Sequence, residues 1–411
     1  MSLWDAILGR RRVKLSLEDP ANWNFGFQSH SGKTVNQDSA MTLSAVWACV
    51  RLRARVVGAL GCGVYERTAS GERLLARDHP LHQVVHESPN VDQTPAEFWG
   101  GMISCIDLWG NAYARILRGS LKQVVGLEPL RPDRMTVRRA NGVRVYDYRD
   151  GLTSRRYRQE EIFHLRGFTL GGDVGLSAVS YGRHSLGIAL AADETAGKTF
   201  ANGLQVSGFV KMLQGVRLTK DQREQLIDVF AKFTGSSNAG KVMPLDGGMD
   251  FVPLNLKPED AQLLQSRGFG IEDVGRWFDT PPILIGHAGE GQTMWGSGVE
   301  QIILGWIVTG LDPLFVGIQQ AVSKQLLTPP DRSRFYAEFN RQALLRADSK
   351  GRAEFYSKVF GLAGITPNQI ADRENMPRFE GGDGRYLNST FVPLEQAGTR
   401  RLQPAPGEPI D

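Results

Sequence analysis

Residues 281–327 read PPILIGHAGEGQTMWGSGVEQIILGWIVTGLDPLFVGIQQAVSKQLL, and this stretch decides the fold. It opens with a proline pair, continues through five glycines between 286 and 298, and ends in apolar residues at helical spacing. Glycine at that density cannot hold a regular element cheaply, so residues 283–298 are predicted to form a flexible polar loop. From Val299 to about Leu327 the apolar stripe predicts one long helix, kinked where Asp312–Pro313 falls in its middle.

The sequence before this stretch predicts two long helices around a small insertion. Residues 258–279 form a helix that ends before the proline pair, because proline disfavours the α conformation in the residue that precedes it. Residues 176–204 contain no proline and six alanines, which predicts a second long helix with little side-chain bulk. Between them, residues 205–257 read as strand, capped helix from Thr219 to Phe233, and two strands. The chain therefore goes out along one helix and returns along the other.

The outer parts of the sequence predict a mixed domain, a helical end and two loose termini. Residues 39–175 begin with a helix and continue as short apolar runs separated by turn signals, among them Asn141–Gly142. Ten arginines against five acids lie between residues 131 and 166, which is typical of a solvated sheet face and less often of a polyanion or subunit contact. After the long helix we expect a strand at 334–339, helices within 344–375, a basic N-terminal arm and a disordered C-terminal tail.

Composition excludes several classes of protein. The 411 residues carry 48 Lys plus Arg against 44 Asp plus Glu, a surplus too small for a surface that grips nucleic acid throughout. Cys49, Cys62 and Cys105 are too few for a secreted disulfide framework, lack a Cys-x-x-Cys pair, and are interpreted as small buried residues in a reducing compartment. The apolar stretch Ile302–Leu311 is shorter than the ~20 residues that a spanning helix needs, so we expect a soluble cytoplasmic protein.

The sequence shows no convincing catalytic, metal or cofactor site. Residues 235–241 read GSSNAGK, which matches the spacing of a phosphate-binding loop, but Val242 replaces the metal-binding Ser or Thr. The segment also leaves a predicted helix and enters a strand, the reverse of the order that turns helix amides toward a phosphate. His79, His82 and His86 share one face of a possible helix and could in principle bind zinc. Histidines that lie on the surface or in the core without binding a metal are far commoner than zinc ligands. We therefore expect no enzyme activity, no metal and no cofactor.

The order of predicted elements is distinctive, and short motifs accompany it along the chain. The motifs are Pro89-Asn90, Gly110-Asn111-Ala112-Tyr113, Ser207-Gly208, residues 235–241, Pro281-Pro282, residues 295–301 (WGSGVEQ), and Arg346-Ala347-Asp348 followed by Arg352, Tyr356, Gly361, Thr366 and Asn368. Together, over about residues 40–385, they resemble the portal (head-to-tail connector) family of long-tailed double-stranded DNA bacteriophages. Gln369 departs from the glutamate expected there, and the tail beyond Gly384 has no counterpart.

The resemblance implies an α+β portal fold assembled as a ring. In its terms the chain divides into a flexible arm (1–38), wing (39–175), first stem helix (176–204), αβ clip (205–257), second stem helix (258–282), tunnel loop (283–298), kinked tunnel helix (299–327), wing strand (328–341), helical crown (342–380) and disordered tail (381–411).

The resemblance also assigns candidate site residues. The tunnel-loop residues expected to approach DNA are His287, Glu290, Gln292 and Trp295. The clip residues expected to face the packaging motor are Leu218, Lys220, Arg223, Lys232 and Lys241. The stem residues expected along the channel are Glu259, Arg267, Glu272 and Arg276.

The partners implied are other copies of the chain, in a ring of typically about twelve subunits at one capsid vertex of the virion. Further implied partners are the terminase large subunit, a head-completion or adaptor protein, and the major capsid protein or scaffold, with assembly in the bacterial host cytoplasm and no membrane. Double-stranded DNA would pass through the ring without sequence specificity.

Elementary geometry agrees with a DNA channel. About twelve helices, each about 10 Å across, place their axes on a circle roughly 38 Å wide and leave a lumen of about 28 Å. A conduit must not hold its cargo, because each neutralised phosphate adds affinity, and residues 257–279 carry three bases against five acids. Two alternatives are a capsid or tail component, which differs in oligomeric symmetry, and a phage DNA-processing enzyme, which would show cleavage or turnover.

Overall fold

The computed structural model describes residues 27–68, 73–201, 208–212, 219–233, 249–253, 260–288, 297–341, 349–362, 364–374 and 376–386. Its helices are α1 (Gln37–Met41), α2 (Ser44–Ala59), α3 (Pro80–His82), α4 (Pro95–Trp109), α5 (Ala178–Tyr181), α6 (Arg183–Ala201), α7 (Lys220–Phe233), α8 (Asp260–Trp277), α9 (Ser297–Trp306), α10 (Asp312–Gln325), α11 (Ser349–Gly361) and α12 (Pro367–Glu374). Its strands are β1 (Phe27–Gln28), β2 (Thr34–Val35), β3 (Cys62–Arg67), β4 (Arg73–Leu75), β5 (Asn111–Arg118), β6 (Val124–Leu130), β7 (Met135–Ala140), β8 (Val143–Asp150), β9 (Thr153–Arg158), β10 (Ile162–Arg166), β11 (Gly208–Met212), β12 (Met249–Pro253) and β13 (Phe335–Phe339). This mixture confirms the predicted α+β class.

In the described part of the chain, three antiparallel sheets have three strands each. Their strand orders are β10-β5-β6, β7-β8-β9 and β13-β3-β4. The third sheet joins distant parts of the sequence, since Phe339 pairs with Cys62 and Phe335 with Glu66. The strand that follows the long helix, β13, therefore joins the sheet of β3 and β4.

The hairpins of the second sheet follow from their turn residues. Asn141 (φ 52°) and Gly142 (φ 80°) both take left-handed backbone conformations. That pair of angles belongs to the two-residue turn whose twist matches antiparallel strands, and Asn-Gly favours it. The predicted turn is confirmed, and it fixes Ala140 opposite Val143.

Helix α4 was not predicted, although its start carries strong local signals. Thr94 accepts a hydrogen bond from the Glu97 N–H at 3.3 Å while Glu97 accepts from the Thr94 N–H at 2.8 Å. This reciprocal cap stabilises a helix start. The helix ends at Gly110, whose φ of 74° suits glycine. The α4 side chain of Trp99 is fully buried and donates its indole N–H to the carbonyl of Val85 at 3.0 Å.

The predicted long helix is present and continuous over 297–325. Helix α9 passes through a π-helical turn, Ile307–Leu311, into α10. The irregularity lies just before Asp312–Pro313 rather than at it. A proline ring clashes with the carbonyl four residues earlier, and the wider turn gives that ring room.

The length of this helix corrects one sequence-based expectation. Gly298–Gln325 is, by length and composition alone, apolar and long enough to cross a membrane, a test that core helices of soluble proteins also pass. The expectation that the chain holds no such stretch was wrong, because Gly305, Thr309 and Pro313 do not end the helix.

The insertion between the two long helices begins as predicted. Thr219 and Gln222 form the predicted capping box, with the Thr219 N–H donating to Gln222 Oε1 at 3.0 Å and the Gln222 N–H donating to Thr219 Oγ1 at 3.4 Å. Strands β11 and β12 pair antiparallel with Val210 opposite Phe251. The predicted strand at 241–245 and the GSSNAGK segment lie outside the described residues.

The segment before residue 39, interpreted as an arm, is partly folded. Strands β1 and β2 form a hairpin within it, and Val35 is fully buried in a core with Val46, Leu186 and Val274. Residues 1–26 lie outside the described part, so the remainder of the arm stays a prediction.

The chain divides into two compact units, residues 1–340 and 341–411. In the second unit Thr366 and Gln369 cap α12 reciprocally, since the Thr366 N–H donates to Gln369 Oε1 at 3.0 Å and the Gln369 N–H to Thr366 Oγ1 at 3.2 Å. Glutamine thus performs the capping that glutamate would perform at that position. The Asn368 side chain holds the following segment by two hydrogen bonds to the backbone of Phe379.

Candidate functional site

The end of α8 and the long helix meet at a tight junction. The indole N–H of Trp306 donates to the carbonyl of Asp279 at 2.7 Å, and the Thr280 N–H donates to the carbonyl of Gly275 at 2.9 Å. Asp279 has a left-handed φ of 51°, which is uncommon for a residue other than glycine. The chain therefore leaves α8 through a strained turn that the long helix holds in place.

Two glycines make this close approach possible. A Cβ on Gly275 would lie 2.7 Å from the Thr280 carbonyl oxygen, and a Cβ on Gly310 would lie 2.9 Å from the Trp306 ring and 3.2 Å from the Asp279 oxygen. Beside them opens a cleft of about 560 Å³, the junction cleft, whose walls include Glu272, Arg276 and Thr309. The close packing at Gly275 and Gly310 holds the end of α8 against the long helix.

The structure describes only the first of the predicted tunnel-loop residues. The His287 N–H donates to the carbonyl of Pro282 at 3.0 Å, and its ring lies beside Gly268 of α8. This end of the loop is thus packed on the second stem helix. Glu290, Gln292 and Trp295 lie outside the described residues, and their approach to DNA stays a prediction.

The predicted stem residues are only partly brought together. Arg276 lies 3.5 Å from carboxylate oxygens of both Glu272 and Asp273. Because two acids already compensate this arginine, its capacity to bind a passing phosphate is reduced. Arg267 lies within α8 but its side chain is outside the description, and Glu259 lies outside the described residues.

The predicted clip residues lie on or next to α7. Lys220 lies in the first turn of α7 and Arg223 in the next, and both are exposed. Lys232 lies near the end of the helix, and its side chain is not described. Leu218 and Lys241 lie outside the described residues. The two exposed cations are available to an external partner.

The long helix presents one buried face and one exposed apolar face. Trp306, Leu311 and Phe315 are at most 7% exposed, whereas Leu304 is 44% and Val308 64% exposed. Ile188 of α6 and Phe269 of α8 are also exposed apolar side chains. Large exposed apolar patches are typical of protein–protein contacts.

A buried polar network lies behind the long helix, and sequence reasoning did not find it. Asn111 Oδ1 accepts from the Gly175 N–H at 2.7 Å and from the His164 ring at 3.0 Å, while Asn111 Nδ2 donates to the carbonyls of Gly175 and Trp109. The opposite ring nitrogen of His164 accepts from Tyr146 Oη at 3.2 Å. The Gly110-Asn111-Ala112-Tyr113 motif was the one sequence signal for it.

This network keeps His164 neutral. Burial, followed by the nearby charges of Arg166 and Arg144, holds the pKa of His164 well below its ordinary value. With Nε2 protonated toward Asn111 and Nδ1 accepting from Tyr146, each ring nitrogen has a partner. The network is therefore fully satisfied without a charge.

A buried ion pair is the second feature that sequence reasoning missed. Arg53 Nε lies 3.1 Å from both carboxylate oxygens of Asp107, and both side chains are at most 8% exposed. Burial, opposed by Arg53, raises the pKa of Asp107 to about 6. One amino group of Arg53, Nη1, is buried without a partner among the described residues. The pair links α2 to α4.

His79 and His82 accept hydrogen bonds from the backbone, and burial keeps the three cysteine thiols protonated. His79 Nδ1 accepts from the Leu81 N–H and His82 Nδ1 from the Val64 N–H, both at 3.1 Å. Burial raises the pKa of Cys49 to about 11 and that of Cys105 to about 12, and it also raises the pKa of the Cys62 thiol. Thiols held protonated in this way are poor nucleophiles.

The arginine-rich part of the wing is an exposed sheet face with shared acids. Asp147 pairs with Arg138 and Arg156, and Asp173 pairs with Arg139 and Arg144. Hydrogen bonds from these two arginines lower the pKa of Asp173 to about 2. The structure therefore favours the interpretation as a solvated face, with part of the positive charge compensated.

Comparisons with known proteins agree with these features. The family model described as phage portal protein matches residues 44–375. The portal protein of Enterobacteria phage HK97 is 32% identical over 370 residues, which cover 90% of this chain and 87% of that protein.

Two solved structures are similar in fold. The neck of a native gene transfer agent particle, computed with C12 symmetry, has a TM-score of 0.57 at 21% identity and covers 83% of this chain and 92% of that chain. An HK97-family phage portal protein from Corynebacterium diphtheriae has a TM-score of 0.56 at 16% identity and covers 76% of this chain and 97% of that chain. The long kinked helix, its junction with α8, and the similarity over most of the chain converge on one conclusion: this chain belongs to the phage portal protein family.

Proposed function

We propose that about twelve copies of this chain form the portal ring of a tailed-phage-type virion, through which double-stranded DNA is packaged and ejected. The observation that carries the proposal is the apolar face of the long helix, exposed at Leu304 and Val308 in a single chain. A face of this kind needs a protein cover. A neighbouring copy supplies that cover in a ring, and the C12 symmetry of the similar neck structure supports the subunit number.

The channel assignment rests on the two stem helices and the loop between α8 and the long helix. Arg276 is compensated by Glu272 and Asp273, so this part of α8 offers little free positive charge. A weakly acidic wall repels DNA and allows it to move. We propose that His287, Glu290, Gln292 and Trp295 of the loop 283–298 approach the DNA in the ring.

A loop-replacement experiment tests the channel assignment. Replacing Gly289-Glu290-Gly291 by a rigid segment is expected to leave rings intact and to reduce the DNA packaged per particle, because the loop could no longer adjust to moving DNA. Glu290→Gln is the matched control, since it keeps the glycines and removes one charge. Normal packaging by the rigid variant would contradict the assignment.

We further propose that the packaging motor, the terminase large subunit, docks on the clip. Lys220 and Arg223 are exposed at the start of α7, where an acidic partner surface could reach them. A head-completion or adaptor protein would take over this end after packaging, and the wing would face the capsid protein or scaffold. Assembly in the host cytoplasm follows from the same proposal.

Charge reversal tests the motor contact. Lys220→Glu and Arg223→Glu are expected to preserve the ring and to weaken motor binding, measured by co-sedimentation of purified ring and motor. Arg385→Glu, an exposed site in the second compact unit, is the control. Loss of ring formation with intact motor binding by monomers would show that the clip joins subunits instead.

A further inference from the structure

The side chain of Gln325, the last residue of the long helix, makes the two hydrogen bonds to β10 that a neighbouring strand would make. Gln325 Oε1 accepts a hydrogen bond from the His164 N–H at 2.8 Å, and Gln325 Nε2 donates to the His164 carbonyl at 3.0 Å. His164 lies in β10, which is an edge strand of its sheet. One side-chain amide therefore satisfies both backbone groups that the next strand would have satisfied.

The same histidine leads into the buried polar network. Its ring contacts Asn111, and Asn111 bonds both backbone groups of Gly175. Two residues later Ser177 caps α5, its side chain accepting from the Ser180 N–H at 3.2 Å and donating to the Leu108 carbonyl at 2.7 Å. Hydrogen bonds joined by short covalent segments, within His164 and from Gly175 to Ser177, thus connect the end of the long helix to the start of α5.

The two hydrogen bonds between Gln325 and His164 are directional, unlike the apolar packing of the buried face of α10. Phe315, Ile318 and Val322 are buried apolar residues of the same helix. Apolar packing tolerates small shifts along a helix, whereas a two-bond amide pair loses both bonds once the register changes. The Gln325–His164 amide pair is therefore the contact that fixes where the helix ends relative to the sheet.

We propose that Gln325 is a positioning residue that couples the long helix, through His164 and Asn111, to the start of the stem at Gly175–Ser177. Movement of the helix end must then carry β10 with it or break the amide pair. This inference goes beyond the proposed function and does not rest on it, since it concerns one chain.

Gln325→Glu tests the coupling because it changes one bond and keeps the shape. The carboxylate still accepts from the His164 N–H but faces the His164 carbonyl without a proton. Once protonated at lower pH, the carboxyl can donate again. Gln320→Glu, exposed on the same helix, makes the same charge change away from the amide pair.

The charged and titratable groups around this position are the same in all variants. On the sheet side they are Arg144, Arg166, Asp173, Tyr146 and Tyr113, whose ring lies 4.4 Å from that of His164, and on the helix side Lys324 and Arg332. His164 itself stays neutral, since its pKa is well below the ordinary value. Comparison with wild type at each pH therefore isolates the new carboxyl.

The measurement is amide hydrogen exchange of the purified full-length chain at pH 8 and pH 4, each variant expressed relative to wild type. At pH 8, Gln325→Glu is expected to exchange about tenfold faster at His164, at the last turn of α10 and at residues 175–181, the factor expected for one lost hydrogen bond of ~1.4 kcal/mol. At pH 4, below the pKa of about 4.3 that a free Glu carboxyl has, the ratio is expected to return to near one. Gln320→Glu is expected to match wild type throughout.

A faster exchange confined to His164 and α10 would overturn the coupling, because a local bond would explain it. Faster exchange that persists at pH 4, or that Gln320→Glu shares, would overturn it as well. Gln325→Met supplies the second variant, since it fills the same space and can make neither bond at any pH. It is expected to show the pH 8 pattern at both pH values, and a wild-type pattern would contradict the proposal.

Discussion

At the scale of single residues, the buried side chain of Asn111 organises the surroundings of β5 and β10. Asn111 is fully buried and has partners for both its amide hydrogens and both lone pairs of its oxygen. A buried amide with all its positions filled specifies one arrangement, since any shift leaves groups unpaired. Its motif therefore encodes a structural junction between α4, β10 and the start of the stem.

Replacing Asn111 tests this role. Asn111→Ala is expected to lower the free energy of unfolding by about 3 kcal/mol or more, because the backbone groups of Gly175 and Trp109 and the ring of His164 lose their partner. Urea denaturation measures the change. Asn141→Gly is the control, since that turn position already has a positive φ and its change is expected to stay within about 0.5 kcal/mol. Equal effects at both positions would contradict the role of the network.

The Arg53–Asp107 pair predicts a pH-dependent cost of mutation. Arg53→Met is expected to destabilise the chain by about 3–5 kcal/mol at pH 8, because it leaves the Asp107 carboxylate buried and unpaired. The exposed Arg55→Met on the same helix is expected to change stability by less than about 0.5 kcal/mol.

The sign of the pH effect follows from the raised pKa of Asp107. The folded state binds its proton up to about pH 6, while the unfolded carboxyl has a pKa of 3.8. Stability contributed by this group therefore falls as the pH rises through that window. The penalty of Arg53→Met should accordingly be smaller at pH 5 than at pH 8 in urea titrations, and a larger penalty at pH 5 would contradict the assignment.

At the scale of elements, the effect of replacing a glycine of the long helix by alanine depends on what its new Cβ would contact. Gly310→Ala is expected to destabilise the chain although alanine favours helix by about 1 kcal/mol, because its Cβ would meet the Trp306 ring and the Asp279 oxygen. Gly317→Ala, with nothing within 4 Å of the new Cβ, is expected to stabilise by roughly 0.5–1 kcal/mol. Thermal unfolding of both variants decides, and two stabilising substitutions would show that the junction tolerates a side chain.

Sequence reasoning reached the elements whose signals are local. Apolar spacing placed the long helix, Thr219 and Gln222 placed the start of α7, and Asn141–Gly142 placed a hairpin. Helix α4 was missed although Thr94 and Glu97 carry its cap, because Gly100 and Gly101 in its interior disfavour a helix.

The junctions could not be predicted, since they depend on contacts between distant residues. Gln325 meets His164 across 161 positions, and Arg53 meets Asp107 across 54. Neither pairing has a periodicity or spacing that a sequence reveals.

At the scale of the whole molecule, the uncovered apolar face predicts that the chain is a subunit. Val308→Asp is expected to prevent ring assembly, because burying an isolated carboxylate at an interface costs several kcal/mol. The stability of the monomer should be nearly unchanged, since Val308 is 64% exposed there. Val91→Asp makes the same change at a fully exposed loop position.

Native mass measurement of both variants checks this prediction. Assembly by Val308→Asp to the wild-type mass would show that the exposed face of the long helix is not a subunit contact. Loss of assembly by Val91→Asp alone would place the interface on the wing instead.

Class averages of the purified wild-type chain by electron microscopy test the central claim most directly. The account predicts a closed ring of about twelve subunits around a hole of about 28 Å, the width that about twelve side-by-side helices leave. Particles that stay monomeric at high protein concentration, or that form open filaments without a central hole, would contradict it.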